Sequence, residues 1–277
     1  MRRLPFSILN YAGRKPWFLE HAERFAGKGE IETIVEPFAG SAMLSLTLLN
    51  RGCAKRVILA EDDEEVRFFW KSTRDDDGLA DRVNEWTAAA FRLPREKQRD
   101  FVIDSILRLR EKDPALWLLL RSRSSYNGIL TGNWPAVTRK PLESWWPVTL
   151  ASSLRMLYAM RDRFEVLPDA FDALLSTSRT SNYAVVDPPY TIARKSPGHH
   201  LYRKCEVNHQ RLLKVLAKWK GRWQLTSEFC PEIFVLLKNA GLDDHSTATY
   251  VVPMQTGHGA RKMELVVSRE QRDVRRK

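Results

Sequence analysis

"ETIVEPFAGSAMLSLTLLNRGCAKRVILAE", residues 32–61, decides the fold. Residues 32–38 read as a short buried strand, 41–52 as an apolar helix closed by Gly52, and 56–61 as a second buried strand. Strand, helix and strand in so short a stretch form the beginning of a βαβ unit, which points to a parallel sheet. Glu36 closes the first strand. Gly40 either lets the backbone approach a ligand at the start of the helix or simply makes the turn. Glu61 stands where a doubly wound fold places an acid on a ribose hydroxyl pair. Because "EDDEE" (61–65) continues the run, a solvated acidic helix start is the other reading.

The alternation returns at the far end. "YAVV" (183–186) and "WQLT" (223–226) read as strands, and "NHQRLLKVLAKWK" (208–220) and "PEIFVLLKNAG" (231–241) as helices. "TATYVVPM" (247–254) and "KMELVVS" (262–268) form a C-terminal β-hairpin around "QTGHGA". The middle differs. It is helix-rich at "REKQRDFVIDSILRLREKDP" (95–114), then loops through "RSRSSYNGILTGNWPAVTRKPLESWW" (121–146). The Gly, Pro, Asn, Arg and Trp there predict a surface insertion over 70–165 rather than more sheet. The remainder, 1–69 and 166–277, is an α/β domain split by that insertion.

At 277 residues and 43% hydrophobic, the chain can bury a large core. Apolar runs such as "ALWLLL" are too short to span a bilayer, and the basic N-terminus lacks an apolar signal core. The expectation is a soluble, cytoplasmic protein with no membrane partner. Cys53, Cys205 and Cys230 are scattered and form no CxxC pair, so neither a disulfide framework nor a cysteine zinc site is suggested. His199 and His200 are adjacent, and His209, His245 and His258 lack ligand spacing, so no metal is expected. Net charge is +11, which suits either a polyanionic partner or a generic basic surface. Between Thr191 and Arg222 nine Lys and Arg face a single acid, Glu206, which concentrates the positive field just after "DPPY". The loop "TIARKSPGHHLYRK" (191–204) reads as a flap over a ligand or as a basic loop.

"DPPY" (187–190) carries the chemistry. Proline ends the strand "YAVV", so Asp187 is held at its tip. Asp187 offers a carboxylate acceptor. Pro189 has no amide hydrogen and holds the backbone extended, so the Pro188 carbonyl stays free as a second acceptor. Two nearby acceptors match the two hydrogens of an exocyclic amine, and Tyr190 offers a flat face for a planar heterocycle. The implied ligand is an amino-bearing base.

With these residues in place, the chain resembles the Dam-like N6-adenine DNA methyltransferases. "YAGRK" (11–15) is similar to their W/Y-x-G-G-K element, "EPFAGSA" (36–42) to E-P-F-x-G-x-G, "LAEDDEEV" (59–66) to the acid-bearing end of the second strand, "SSYNGILTGNW" (124–134) to their N-G segment, and "DPPY" to the catalytic motif. The resemblance spans about residues 11–190, in the family's order. It implies a Rossmann-like methyltransferase domain (1–69 and 166–277), with 70–165 as the target-recognition, DNA-binding insertion.

The resemblance further implies S-adenosylmethionine as cofactor. Tyr11 and Lys15 would contact its methionine end, Glu36, Phe38, Gly40 and Ser41 its floor, Glu61 its ribose, Phe171 its adenine, with Asp187 beside it. Catalysis falls to Asp187, Pro188, Pro189 and Tyr190. Double-stranded DNA is the implied partner, with Arg121, Arg123, Tyr126, Asn127, Asn133, Arg139, Lys140, Arg194 and Lys195 as candidate contacts. A cognate restriction endonuclease is a further partner of such enzymes. The oligomeric state stays open. Arg14 replaces the second glycine of G-G-K and Ala42 the last glycine of F-x-G-x-G, and Arg14 lies near either the cofactor or the DNA phosphates. Methylation of an RNA adenine, a cytosine amine or a protein glutamine is the alternative on the same fold. Related folds often carry Asn or Ser where Asp187 stands, which argues against it. A non-catalytic DNA-binding homologue is the third reading.

Overall fold

Seven strands run through the residues described by the computed structural model, which are 7–27, 30–131, 137–193, 196, 198–253 and 261–270. They are β1 (Ile31–Glu36), β2 (Ala54–Ala60), β3 (Phe164–Leu167), β4 (Tyr183–Val186), β5 (Arg222–Glu228), β6 (Ser246–Pro253) and β7 (Arg261–Arg269). They form one sheet in the order β3-β2-β1-β4-β5-β7-β6. Pairing is parallel from β3 to β5, and β7 lies antiparallel to both β5 and β6. The C-terminal hairpin therefore joins the sheet, with β7 slotted between β5 and β6. This is a Rossmann-like arrangement, a largely parallel sheet whose order reverses between β1 and β4.

Among the described residues eleven α-helices accompany it: α1 (Leu19–Ala26), α2 (Met43–Asn50), α3 (Glu64–Asp75), α4 (Leu79–Arg92), α5 (Arg95–Lys112), α6 (Pro114–Ser124), α7 (Leu150–Ala159), α8 (Ala170–Ser176), α9 (Gly198–Leu201), α10 (His209–Lys218) and α11 (Pro231–Asn239). Strand alternation explains how they form layers. Ile34 of β1 and Val185 of β4 point into one buried cluster with α2, α3 and α6, while Val35, Ala184 and Val186 point into another with α8, α10 and α11. Both sheet faces are covered, as a parallel sheet requires.

The middle region is more helical than its composition suggested. Trp86 of α4, Leu118 of α6, Leu157 of α7 and Trp146, which precedes α7, share one buried cluster with Ile34 of β1 and Leu46 of α2, so α4–α7 pack onto the sheet's own core. β3 was not anticipated, because "FEVL" is a short edge strand whose Glu165 faces solvent. Asn127 and Gly128, with φ of 53° and 73°, turn the chain after α6 back against the N-terminal segment. A Cβ at Gly128 would stand 2.4 Å from the Asn10 carbonyl oxygen, so only glycine allows this approach. The "YAGRK" segment is thereby docked between the sheet and the middle region.

Candidate active site

The order of the sheet reverses between β1 and β4, and an open α/β sheet holds its ligands in the crevice beyond that point. Three acids sit at the strand ends around it: Glu36 ends β1, Glu61 follows β2, and Asp187 follows β4. A cavity of about 330 Å³ opens there, lined among others by Tyr11, Lys15, Phe38, Gly40, Ser41, Phe171, Asp187 and Pro189.

The floor is built by the β1–α2 turn. Gly40 has φ of 46° and lies under the Tyr11 ring, whose atoms would come within 2.9 Å of a Cβ there. Its amide donates to Glu61 Oε2 at 2.7 Å, and its carbonyl accepts the Trp70 indole N–H at 2.9 Å. Glu61 Oε1 accepts the Asp63 amide at 2.9 Å. Burial pushes the Glu61 carboxyl up to about 7, against the pull of those two amides. Behind it, Glu36 Oε2 accepts the Ser45 amide at 3.2 Å and the Ser45 hydroxyl. Burial drives Glu36 to about 8 despite both bonds. Ala42, standing where the family pattern has glycine, adopts φ of 48°, so the turn keeps a left-handed geometry that glycine would adopt freely.

Asp187 is the centre of a charge network. Its Oδ1 accepts the Thr226 hydroxyl from β5, and its Oδ2 pairs with Lys15 Nζ at 3.1 Å. Lys15 is buried; it also donates to the Gly13 carbonyl at 2.7 Å and lies 3.8 Å from Glu264 Oε2 of β7. That same oxygen accepts the Tyr190 hydroxyl at 3.1 Å, and Glu264 Oε1 pairs with Lys262 at 2.6 Å. Burial raises the Asp187 carboxyl above its ordinary range, while Lys15 and the Thr226 hydroxyl pull it back.

Described residues after Tyr190 bond back to the end of β5. Glu228, at the end of β5, accepts the amides of Ile192 and Ala193 and the hydroxyl of Ser196. Further on, Tyr202 stacks on Tyr11 with ring centroids 5.8 Å apart, and its hydroxyl donates to the Ala12 carbonyl at 3.2 Å. Arg203 makes paired bonds to Asp63, the residue that caps α3. Tyr202 and Lys204 thus line the cleft from the side opposite its floor.

Not every expected site residue stands in the cleft. Pro188 is buried behind it, and Phe171 lines it beneath the Arg211 guanidinium at 4.2 Å. Tyr190 was expected to offer an open stacking face; instead it is 7% exposed, with Lys15 and Lys262 at 4.7 and 5.1 Å from its ring centre. Arg123 was expected to contact DNA, yet its guanidinium is spent on the carbonyls of Ser7, Ile8 and Trp145. Burial lowers it to about 10, and it holds the N-terminal segment in place. Arg121 turns inward to the Leu130 carbonyl and the Trp117 ring. Arg14 bonds Ser7 at 2.6 Å while lining the cleft. Asn127 serves the left-handed turn, whereas Tyr126, Arg139 and Lys140 are exposed. Asn133, Arg194, Lys195 and His258 lie outside the described residues. Sequence reasoning missed Thr226, Glu228, Lys262, Glu264, Tyr202 and Arg203. The alternation of β7 could have flagged Glu264, a carboxylate next to "LVV" on a buried strand.

Among the described residues no group of three or more His, Cys, Asp or Glu is placed to hold a metal ion. No helix among them is long and apolar enough to cross a membrane.

No protein-family model matches the chain. Over 227 residues it is 23% identical to the type II methyltransferase M.MjaIII of Methanocaldococcus jannaschii, covering 76% of this chain and 78% of that one. Among solved structures it is similar to the rRNA methyltransferase aviRa of Streptomyces viridochromogenes, at 15% identity and a TM-score of 0.42, covering 91% of this chain and 80% of that one. It is also similar to a precorrin-6y C5,15-methyltransferase of Geobacter metallireducens, at 5% identity and a TM-score of 0.42, covering 94% of each. At those scores the structural likenesses carry no functional weight.

Proposed function

We propose that the chain is an S-adenosylmethionine-dependent methyltransferase that modifies the N6 amine of adenine in double-stranded DNA. The observation that carries this reading is Asp187 at the tip of β4, facing the cleft at the sheet's switch point, within an unaltered "DPPY". The sequence likeness to a type II methyltransferase supports it, and a cognate restriction endonuclease is a partner worth seeking.

The cleft suits the cofactor by its chemistry. Glu61 can accept from a ribose hydroxyl pair, Phe38 and Phe171 offer apolar faces to an adenine, and Lys15 is a buried cation fit for an amino-acid carboxylate. When bound, S-adenosylmethionine supplies an electrophilic methyl carbon on a sulfonium sulfur.

The rest falls to the chain's own groups. The N6 lone pair of adenine is delocalised into the ring and nucleophilically weak. Asp187, accepting from it, draws it toward tetrahedral geometry and aims it. As the nitrogen becomes cationic, the Asp187 carboxylate stabilises the growing charge, so no base need remove a proton first. A paired adenine cannot reach so recessed a corner, so the base has to leave the helix, at a cost of a few kcal/mol offset by contacts to the flipped nucleotide and phosphates. Exposed Lys204 and Arg211 at the cleft, with Lys214 and Lys218 further along α10 and Arg139 and Lys140 on the middle region, supply positive charge for those phosphates.

The test is transfer of labelled methyl groups to unmethylated plasmid, duplex RNA and protein, together with modification-sensitive sequencing of DNA from expressing cells. N6-methyladenine in a fixed DNA context is expected, and Asp187→Ala should abolish it while cofactor binding persists. Label in RNA or protein and never in DNA overturns the reading.

A further inference from the structure

Both carboxylate oxygens of Asp187 are already engaged: Oδ1 by the Thr226 hydroxyl and Oδ2 by Lys15 at 3.1 Å. A substrate amine that bonds Asp187 competes with the Lys15 ammonium for the carboxylate's charge. That ammonium is buried, and a buried charge stripped of its counter-charge is strongly disfavoured. Besides the cofactor carboxylate proposed above, it needs a fixed counter-charge within the protein. The acceptor already beside it is Glu264 Oε2, 3.8 Å away and fixed by the Tyr190 hydroxyl, while Lys262 holds the other oxygen.

We infer that Glu264 is a positioning residue that receives the Lys15 ammonium when Asp187 takes up the substrate amine, so that Asp187 is freed without stranding a buried charge. This inference rests on the proposed methyl transfer for its purpose, though not for its first measurement. Lys15 sits between two carboxylates, and a small displacement transfers it from one to the other. The arrangement also gives β7 a reason to carry an acid at a position 2% exposed, directly across from Glu228 of β5 in the ladder. With Lys15 and Lys262 against Asp187 and Glu264, the formal charges balance in either position of Lys15.

Glu264→Gln separates this role from mere support. The glutamine side chain keeps an oxygen that can accept from Tyr190 and preserves the shape, yet it cannot take a cation's charge. The first measurement is a carbon-13 carboxyl NMR titration of Asp187, assigned with Asp187→Asn. The groups facing Asp187 are Lys15, Thr226, Glu264, Tyr190, Glu36 and Tyr202. Glu264→Gln should lower the Asp187 midpoint by about half a pH unit or more, as Lys15 becomes committed to Asp187 alone. In a Lys15→Met background the same substitution should move it distinctly less. The second measurement is single-turnover methyl transfer at saturating cofactor, expected to fall about tenfold or more in Glu264→Gln and to recover in part with Glu264→Asp.

An unchanged Asp187 midpoint overturns the inference. So does an equal shift in both Lys15 backgrounds, because Glu264 would then be only a neighbouring negative charge. If wild type methylates no DNA while the midpoints behave as stated, the substrate reading fails and the role of Glu264 stands.

Discussion

Arg203 reaches across the mouth of the cleft to Asp63, with Nε to Oδ2 and Nη2 to Oδ1 both at 2.8 Å. Asp63 also caps α3, and its own amide is bonded to Glu61. The segment beyond "DPPY" is thus fastened to the residue that positions Glu61, the proposed ribose-binding acid. Arg203→Ala should weaken S-adenosylmethionine binding by about tenfold, the scale of a paired, charge-assisted contact that is partly open to water. Arg203→Lys should restore only part of it, since an ammonium cannot form the planar pair. Calorimetric titration of the three proteins decides; equal affinities would show that the clasp has no part in holding the cofactor.

Ala42 tests the strain in the cofactor turn. Its φ of 48° costs an alanine roughly 1–2 kcal/mol and a glycine almost nothing. Because Ala42 is fully buried, Ala42→Gly also loses a packed methyl, worth about 0.8 kcal/mol, and frees the unfolded chain. The opposing effects should leave stability within about 1 kcal/mol of wild type. Ala22→Gly, equally buried but inside α1, gains no relief and should cost about 2 kcal/mol. Urea unfolding of the pair measures the difference, and equal losses would mean that the turn is unstrained.

Local pattern carried most of the frame. β1, α2, β2, β4, α10, β5 and α11 each announce themselves through short apolar runs ended by Gly, Pro or a charged residue. "DPPY" announces the tip of β4. What stayed hidden depends on long-range contacts. Arg123 looks like any surface arginine until the N-terminal segment folds over it, more than a hundred residues away in sequence. Glu264 reaches Tyr190 and Lys15 only because β7 inserts beside β5, and a hairpin pattern does not say which of its strands joins the sheet. Tyr190 seemed an open platform because two lysines from opposite ends of the chain converge on it only after folding.

Glu36 should make the cofactor-free protein less stable as pH rises. Its folded carboxyl titrates at about 8, against 4.5 for an ordinary glutamate, because burial penalises the charge. Between those values the folded state keeps a proton that the unfolded chain has released, so stability falls with pH across that window. The contribution is complete below about 4.5 and gone above about 8. Glu36→Gln cannot titrate. Its stability relative to wild type should therefore climb by up to about 1.4 kcal/mol per pH unit across the window. The comparison is cleanest toward pH 8, where Glu61, raised only to about 7, is mostly ionised. Parallel curves for the two proteins would mean that Glu36 is ionised in the fold throughout.

Glu61 should couple cofactor binding to proton release. Burial lifts its carboxyl to about 7, so near neutral pH the empty site is a mixture of protonated and ionised forms. Two ribose hydroxyls donate better to a carboxylate than to a carboxylic acid, so binding favours the ionised form. Affinity should rise with pH, by up to about tenfold per unit below pH 7, and level off above it. Calorimetry near pH 6.5 in two buffers of different ionisation heat should therefore report a net loss of protons from the protein on binding. In Glu61→Gln that loss should shrink and the pH dependence flatten, alongside weaker binding. Any loss that remains belongs to Glu36 or Asp187, the other buried acids of the cleft whose carboxyls are raised. Proton uptake in wild type, or a release that Glu61→Gln leaves unchanged, would remove Glu61 from the ribose site.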